Sequence, residues 1–142
     1  MEIENKIFLG DSENVLKEYF PDECIDLIVT SPPYHDLRNY NGVLNKENWN
    51  HEKFKIIAKE LYRVLKDGGV IVWIVNDKTE KGSKTLNSFR QALYFQELGL
   101  NANDTMIWEK TNPMPVVKQP RYQDVFEYML VFSKGKPKTL TR

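Results

Sequence analysis

Thr30-Ser31-Pro32-Pro33-Tyr34 follows directly on the apolar run Ile25-Asp26-Leu27-Ile28-Val29. A short apolar run rich in β-branched residues predicts a buried parallel strand. The five residues after it then stand at a strand's carboxyl end, where open α/β sheets bind their ligands. Pro32 and Pro33 donate no backbone hydrogen bond and fix φ near −65°. The turn therefore offers carbonyl acceptors, the Ser31 hydroxyl and the Tyr34 ring. That set suits a planar ring bearing an amino group better than a phosphate, which needs N–H donors. Tyr34 could equally pack on a neighbour within a proline-stiffened loop.

The elements that must hold this turn can be traced along the chain. Ile7-Phe8-Leu9 predicts a short strand ending at Gly10-Asp11, with Ser12 as N-cap of a brief helix carrying Val15, Leu16 and Tyr19. Residues 35 to 48 are polar and turn-rich and predict a loop. A helix is predicted from about Asn50 to Lys66, with Phe54, Ile57, Ala58, Leu61 and Leu65 on one face and Gly68-Gly69 as its stop. Val70 to Val75 predicts a second buried strand, and Asp77 to Lys84 a polar connection. A helix from Thr85 to Leu98 should turn Phe89, Leu93 and Leu98 inward. Thr105 to Trp108 and Phe126 to Phe132 predict two further strands. The alternation predicts a mostly parallel α/β sheet, and the helix-free return between the last two strands predicts an antiparallel pair at one edge.

The 142 residues suit one domain with a sizeable core. No apolar run approaches the ~20 residues that span a bilayer, and the acidic start, Met1-Glu2-Ile3-Glu4-Asn5, is unlike a signal peptide. The single cysteine, Cys24, forbids an internal disulfide, so a cytoplasmic location is expected. His35 and His51 lack partners at ligand spacing, so no metal site is expected. Formal net charge is zero, yet from Lys110 onward seven cations face two anions. Such asymmetry fits a phosphate-facing end or a solvated basic tail.

The Ser31-Pro32-Pro33-Tyr34 motif resembles the [D/N/S]-P-P-[Y/F/W] of the S-adenosylmethionine-dependent DNA amino-methyltransferases. Three further segments are similar to that family. Gly10-Asp11 with Leu16 matches I-x-x-G-D-x-x-x-x-L, and Arg63 to Gly69 matches an R-V-L-K-P-G-G turn with Asp67 in place of Pro. Trp108-Glu109-Lys110-Thr111-Asn112 to Pro115, followed by Glu127-Tyr128 to Lys134, matches W-x-K-x-N-x-x-P and E-Y-x-x-x-F-x-K. Tyr34 to Gly42 matches the family's P-P-Y-x-x-L-R-x-Y-x-G extension.

The resemblance implies a Rossmann-like methyltransferase sheet and a methyl transfer to the exocyclic amino group of a flipped base. Ser at position 31 is nearer the cytosine-N4 branch than the adenine-N6 branch. It implies catalytic roles for Ser31, Pro32, Pro33 and Tyr34 and a cofactor-adenine contact for Asp11. Arg38, Tyr40, Trp108 and Lys110 would line the base pocket or face DNA. Trp108 could also be ordinary core, and Asp11 a residue that merely complements a helix dipole.

The family's glycine loop, F-x-G-x-G, is not in the sequence, nor is a target-recognition domain. Residues 1–142 are therefore expected to form the catalytic half alone, with an incomplete sheet that lacks the strands of the cofactor loop. Those strands would lie between the Ile7 and Ile25 strands, and their loss should expose strand edges. S-adenosylmethionine is the expected cofactor, bound weakly or not at all by this chain alone. DNA is the expected partner, with a second chain supplying the missing half, or self-association. A non-catalytic partner subunit and a protein-glutamine methyltransferase are the alternatives.

Overall fold

The computed structural model describes residues 3–33, 49–117 and 120–138. Its longest helix, α2 (His51–Val64), shows why this sequence folds as it does. Phe54, Ile57, Ala58 and Leu61 recur at helical spacing and are all buried. The Asn50 side chain caps the first turn by accepting from the Lys53 amide at 3.0 Å. At the other end the last carbonyls are taken up. The Glu23 and Cys24 amides bond to Arg63 O and Val64 O at 3.0 and 2.9 Å, and the Lys134 ammonium reaches Tyr62 O and Leu65 O.

The helix thus stops at Val64, before the expected Gly68-Gly69. The glycines serve β2 (Leu65–Val75) instead. Against β1 (Ile25–Thr30) the register runs Ile25 to Leu65 and then Leu27 to Val70, so extra residues are looped out of β2. Gly68 takes φ +78° there, a left-handed conformation that glycine adopts without steric cost. Its amide donates to Lys134 O at 2.6 Å, and its carbonyl accepts from the Lys138 amide at 3.1 Å.

Four strands make the sheet in the order β1-β2-β6-β5, with β5 spanning Asn101–Glu109 and β6 Phe126–Ser133. β1 and β2 are parallel, and β6 is antiparallel to both β2 and β5. Three strands therefore point one way and β6 runs against them. The expected antiparallel pair does lie at one edge, with the reversed strand as its inner member.

α2 and α3 (Asn87–Glu97) cover one face of this sheet. Phe54 and Phe95 meet Trp73 with ring centroids 5.7 and 5.2 Å apart, and Phe95 lies 5.0 Å from Phe132. α3 is rotated from the expected orientation. Ser88, Gln91 and Phe95 are buried, Phe89 and Leu93 are exposed, and only Leu98 of the expected trio packs against the core. Two polar anchors set that rotation. Gln91 Oε1 accepts from Trp73 Nε1 at 2.8 Å, and Ser88 donates both its hydroxyl and its amide to Asp77. A buried polar group that is fully paired can outrank an apolar one for the inward position.

The connection from Asp77 to Lys84 contains a hairpin, β3 (Thr79–Glu80) with β4 (Ser83–Lys84). Lys81 and Gly82 turn it with φ of +47° and +80°, the geometry of a two-residue primed turn.

α1 (Ser12–Tyr19) begins one residue earlier than expected. Asp11, not Ser12, is the N-cap, and it acts through its carbonyl, which accepts from Asn14 and Val15 amides at 3.0 Å. Ile7-Phe8-Leu9 is not a strand: Ile7 and Leu9 are wholly exposed, while Phe8 rests on Tyr19 and Phe20. A strand needs a ladder partner, and among the described residues β1 pairs only with β2.

The second face of the sheet is bare in part among the described residues: Val70 and Val131 on it are buried, whereas Leu27, Val29 and Met106 are exposed. Register and alternation place Leu27, Val29, Val72, Ile74, Met129 and Met106 on it together. β1, expected as a buried strand, is instead a partly exposed edge strand, paired on one side among the described residues, with Leu27 and Val29 56% and 60% exposed.

Candidate functional site

A cavity of about 1200 Å³ opens between α1, α2 and the carboxyl end of β1. Parallel pairing to β2 fixes where β1 ends, because Thr30 is in register with Trp73, which floors the cavity. The chain leaves the sheet there as Ser31-Pro32-Pro33, with Ser31 exposed and Pro32 buried. All three residues line the cavity. Asp11 lines it too, brought from the start of α1.

Asp11 is held by a residue that no local pattern in the sequence marks. Lys53, on α2, donates to Asp11 Oδ2 at 3.0 Å and to Glu13 Oε1 at 2.8 Å. Burial would lower the pKa of Lys53, but its bonds to Glu13 and Asp11 outweigh this and raise it above the usual lysine value. The ammonium therefore stays charged and fixes the carboxylate. The rest of the lining is largely apolar, with Val15, Leu16 and Ile28 on the side of α1 and β1 and Ile56, Ile57 and Leu61 on α2. A mostly apolar cavity with a few convergent polar groups is the usual form of a small-molecule site.

Trp108 and Lys110 do not reach this cavity. They lie at the same end of the sheet but on β5 and just beyond it, three strand spacings, or about 14 Å, from β1. Trp108 is 54% exposed on the bare face, so it is not ordinary core. Lys110 pairs with Glu127 at 2.9 Å. Tyr34, Arg38 and Tyr40 lie outside the described residues.

The loop before β6 is tied to the hairpin through Asp124, which accepts from Lys84 at 2.7 Å and Arg121 at 2.6 Å. Burial pushes the Asp124 carboxyl up, but the two cations prevail and hold it below the ordinary carboxylate range. His51, at the first turn of α2, has its pKa lowered by burial and then by Lys55. No helix among the described residues is long and apolar enough to cross a membrane.

A family model described as DNA methylase matches residues 25–142. An orphan methyltransferase, M.BamHII of Bacillus amyloliquefaciens, is 58% identical over 125 residues, covering 88% of this chain and 44% of that protein. M.MwoI, a type II methyltransferase of Methanothermobacter wolfeii, is 30% identical over 99% of this chain and 22% of its own length. The chain thus spans less than half of each. Among solved structures, the cytosine-N4-specific PvuII DNA methyltransferase superposes with a TM-score of 0.72 at 26% identity, over 92% of this chain and 49% of that one. A putative DNA modification methylase from Thermus thermophilus, complexed with S-adenosyl-L-methionine, gives 0.70 at 26% identity, over 94% and 56%.

Proposed function

The chain belongs to the DNA methylase family whose model it matches, and we propose that it is the catalytic half of an enzyme that methylates the exocyclic amino group of a flipped base, with cytosine N4 as the target. One observation carries this: Ser31, Pro32, Pro33 and Asp11 converge on a single cavity at the carboxyl end of β1. Adenine N6 is the second target considered, since the family includes both and only Ser31 favours cytosine.

S-adenosylmethionine would supply an electrophilic methyl group. The residues present fit its adenine part, because Asp11 keeps one carboxylate oxygen beside an apolar wall while Lys53 holds the other. The base amino group is a poor nucleophile, since its lone pair is conjugated into the ring. Ser31 Oγ and the Pro32 carbonyl would accept its two hydrogens, which favours a pyramidal nitrogen and drains developing positive charge. Tyr34 would stack on the extruded base. Direct transfer needs no covalent intermediate, so Cys24 takes no part. Arg38 and Tyr40 are assigned to the base pocket, and Trp108 and Lys110, given their distance from the cavity, to a DNA-facing edge.

In this reading residues 1–142 form one catalytic-half domain, working in the cytoplasm. A second chain would bring the glycine loop, docking at the open edge of β1 and over the bare face. A subunit that contributes only a base-binding surface is the alternative, and self-association is the expected state without a partner.

Two measurements test the proposal. Calorimetry on the chain alone should show S-adenosylmethionine binding weaker than micromolar, because residues 1–142 hold no F-x-G-x-G to make the tight turn for the methionine part; micromolar affinity would refute that. Second, the chain combined with a family half carrying the F-x-G-x-G loop should methylate DNA, and nucleoside mass spectrometry should find N4-methylcytosine. N6-methyladenine would change the target, and the absence of both from a complex shown to bind cofactor and DNA would overturn the function.

A further inference from the structure

A second cavity, about 490 Å³, shares Trp49 and Asn50 with the Ser31 cleft. We propose that it binds one phosphodiester of the strand whose base enters that cleft, which rests on the functional reading above. The two cavities meet along one wall, so a nucleotide seated by its base in the first has its backbone directed past Trp49 toward the second.

The charges around this second cavity select the ligand. His51, Glu80, Lys84, Asn87 and Arg90 line it, contributed by α2, the hairpin and α3. Glu80 is neutralised by Lys78 at 3.1 Å, and Lys84 pairs with Asp124 at 2.7 Å. Arg90 is exposed and forms no ion pair among the described residues. Asp124 is also shared with Arg121 at 2.6 Å, so Lys84 is only partly neutralised and the surroundings of Arg90 carry a positive surplus that suits a phosphodiester anion. The planar guanidinium presents paired N–H donors that suit two phosphate oxygens. Lys84 makes two bonds, to Asp77 O at 3.2 Å and to Asp124, and an ammonium carries three donors. The Asn87 amide adds another donor. The start of α3 contributes less than its position suggests, because the Asp77 carboxylate already takes the Ser88 amide at 3.1 Å. The site is therefore made by side chains, with Arg90 as its centre.

Amide chemical-shift titration of the full chain separates this site from the base cleft. Deoxycytidine carries a base without phosphate, dimethyl phosphate a diester without a base, and the dinucleotide d(CpC) carries both. Deoxycytidine should shift Thr30 and Ser31, dimethyl phosphate should shift Asn87 and Arg90, and d(CpC) should shift both groups. The dinucleotide should bind about tenfold more tightly than the nucleoside, the gain expected of one charge-assisted contact. Arg90→Ala should erase that gain and leave deoxycytidine binding unchanged, while Arg90→Lys should restore part of it. If deoxycytidine leaves Ser31 unmoved while the diester shifts Arg90, the base cleft fails and the phosphate site stands. If d(CpC) binds no more tightly than deoxycytidine, or Arg90→Ala changes nothing, the phosphate site is overturned. Inorganic phosphate binding as tightly as the diester would assign the cavity to the free ion and overturn the backbone assignment.

Discussion

Replacing Ser31 with alanine is expected to lower turnover by about 10²–10³-fold in any preparation of this chain that methylates DNA, the usual effect of losing one preorganised partner of transition-state charge. DNA affinity should be nearly unchanged. The asymmetry follows from what the hydroxyl would do. An uncharged amino group makes an ordinary hydrogen bond to Ser31 Oγ, but the bond strengthens as positive charge develops on nitrogen. Interactions that strengthen only on the way to the transition state appear in kcat and not in ground-state binding. Tyr34→Ala should behave differently and impair both, because stacking holds the extruded base before chemistry and is worth about 1–3 kcal/mol. Single-turnover rates and DNA dissociation constants, measured at saturating cofactor, distinguish the two. Full turnover in Ser31→Ala would require the amino-group role to be abandoned.

The placement of Ser31 was legible in the sequence because it depends on local facts: a β-branched apolar run, then two prolines. The run had to be a strand and its end had to be a stiff turn, and β1 and the cavity have that relation, although β1 is a partly exposed edge strand and not the buried strand expected. Asp11 was legible as a motif residue, but what holds it was not. Lys53 stands 42 residues away and meets Asp11 only because α1 packs on α2. The same distinction explains the errors in the fold. Periodicity alone turns Phe89 and Leu93 inward, yet the orientation of α3 is set by bonds to Asp77 and Trp73 from elsewhere in the chain. Gly68-Gly69 looks like a helix stop, and only the pairing of β2 with β1 and its bonds to Lys134 reveal a bulge. Ile7 to Leu9 has the composition of a strand but no neighbour to pair with. Trp108 carries a motif of the catalytic region, and its place on the far edge strand follows from sheet order, which no local pattern encodes.

The two edges of the sheet differ in a way that predicts how the chain behaves alone. β5 carries Asn101, Asn103 and Asp104 in its first half and Glu109 at its end, polar and charged residues of the kind that discourage a further strand from pairing, with the exposed Met106, Ile107 and Trp108 between them. β1 reads Ile25-Asp26-Leu27-Ile28-Val29-Thr30, and its one charge, Asp26, is bound to Lys66 at 2.7 Å. Its outer edge has no partner among the described residues, because β1 pairs only with β2, and Leu27 and Val29 stand exposed beside it on the bare face. Unpaired backbone groups recruit strands, and burying a Leu or Val side chain contributes about 1.5–3 kcal/mol. The isolated chain should therefore self-associate through β1. The Ile7 segment does not close that edge within one molecule. Introducing Leu27→Lys together with Val29→Lys should yield a monomer by light scattering with an unchanged far-ultraviolet circular dichroism spectrum, since neither side chain belongs to the core between the sheet and α2. Adding a family half that carries the glycine loop should also dissolve the self-association of the unmodified chain, because both would compete for the same edge. A monodisperse monomer of the unmodified chain across the micromolar range would show that the open edge of β1 is not sticky, and the docking of a second chain there would lose its physical basis.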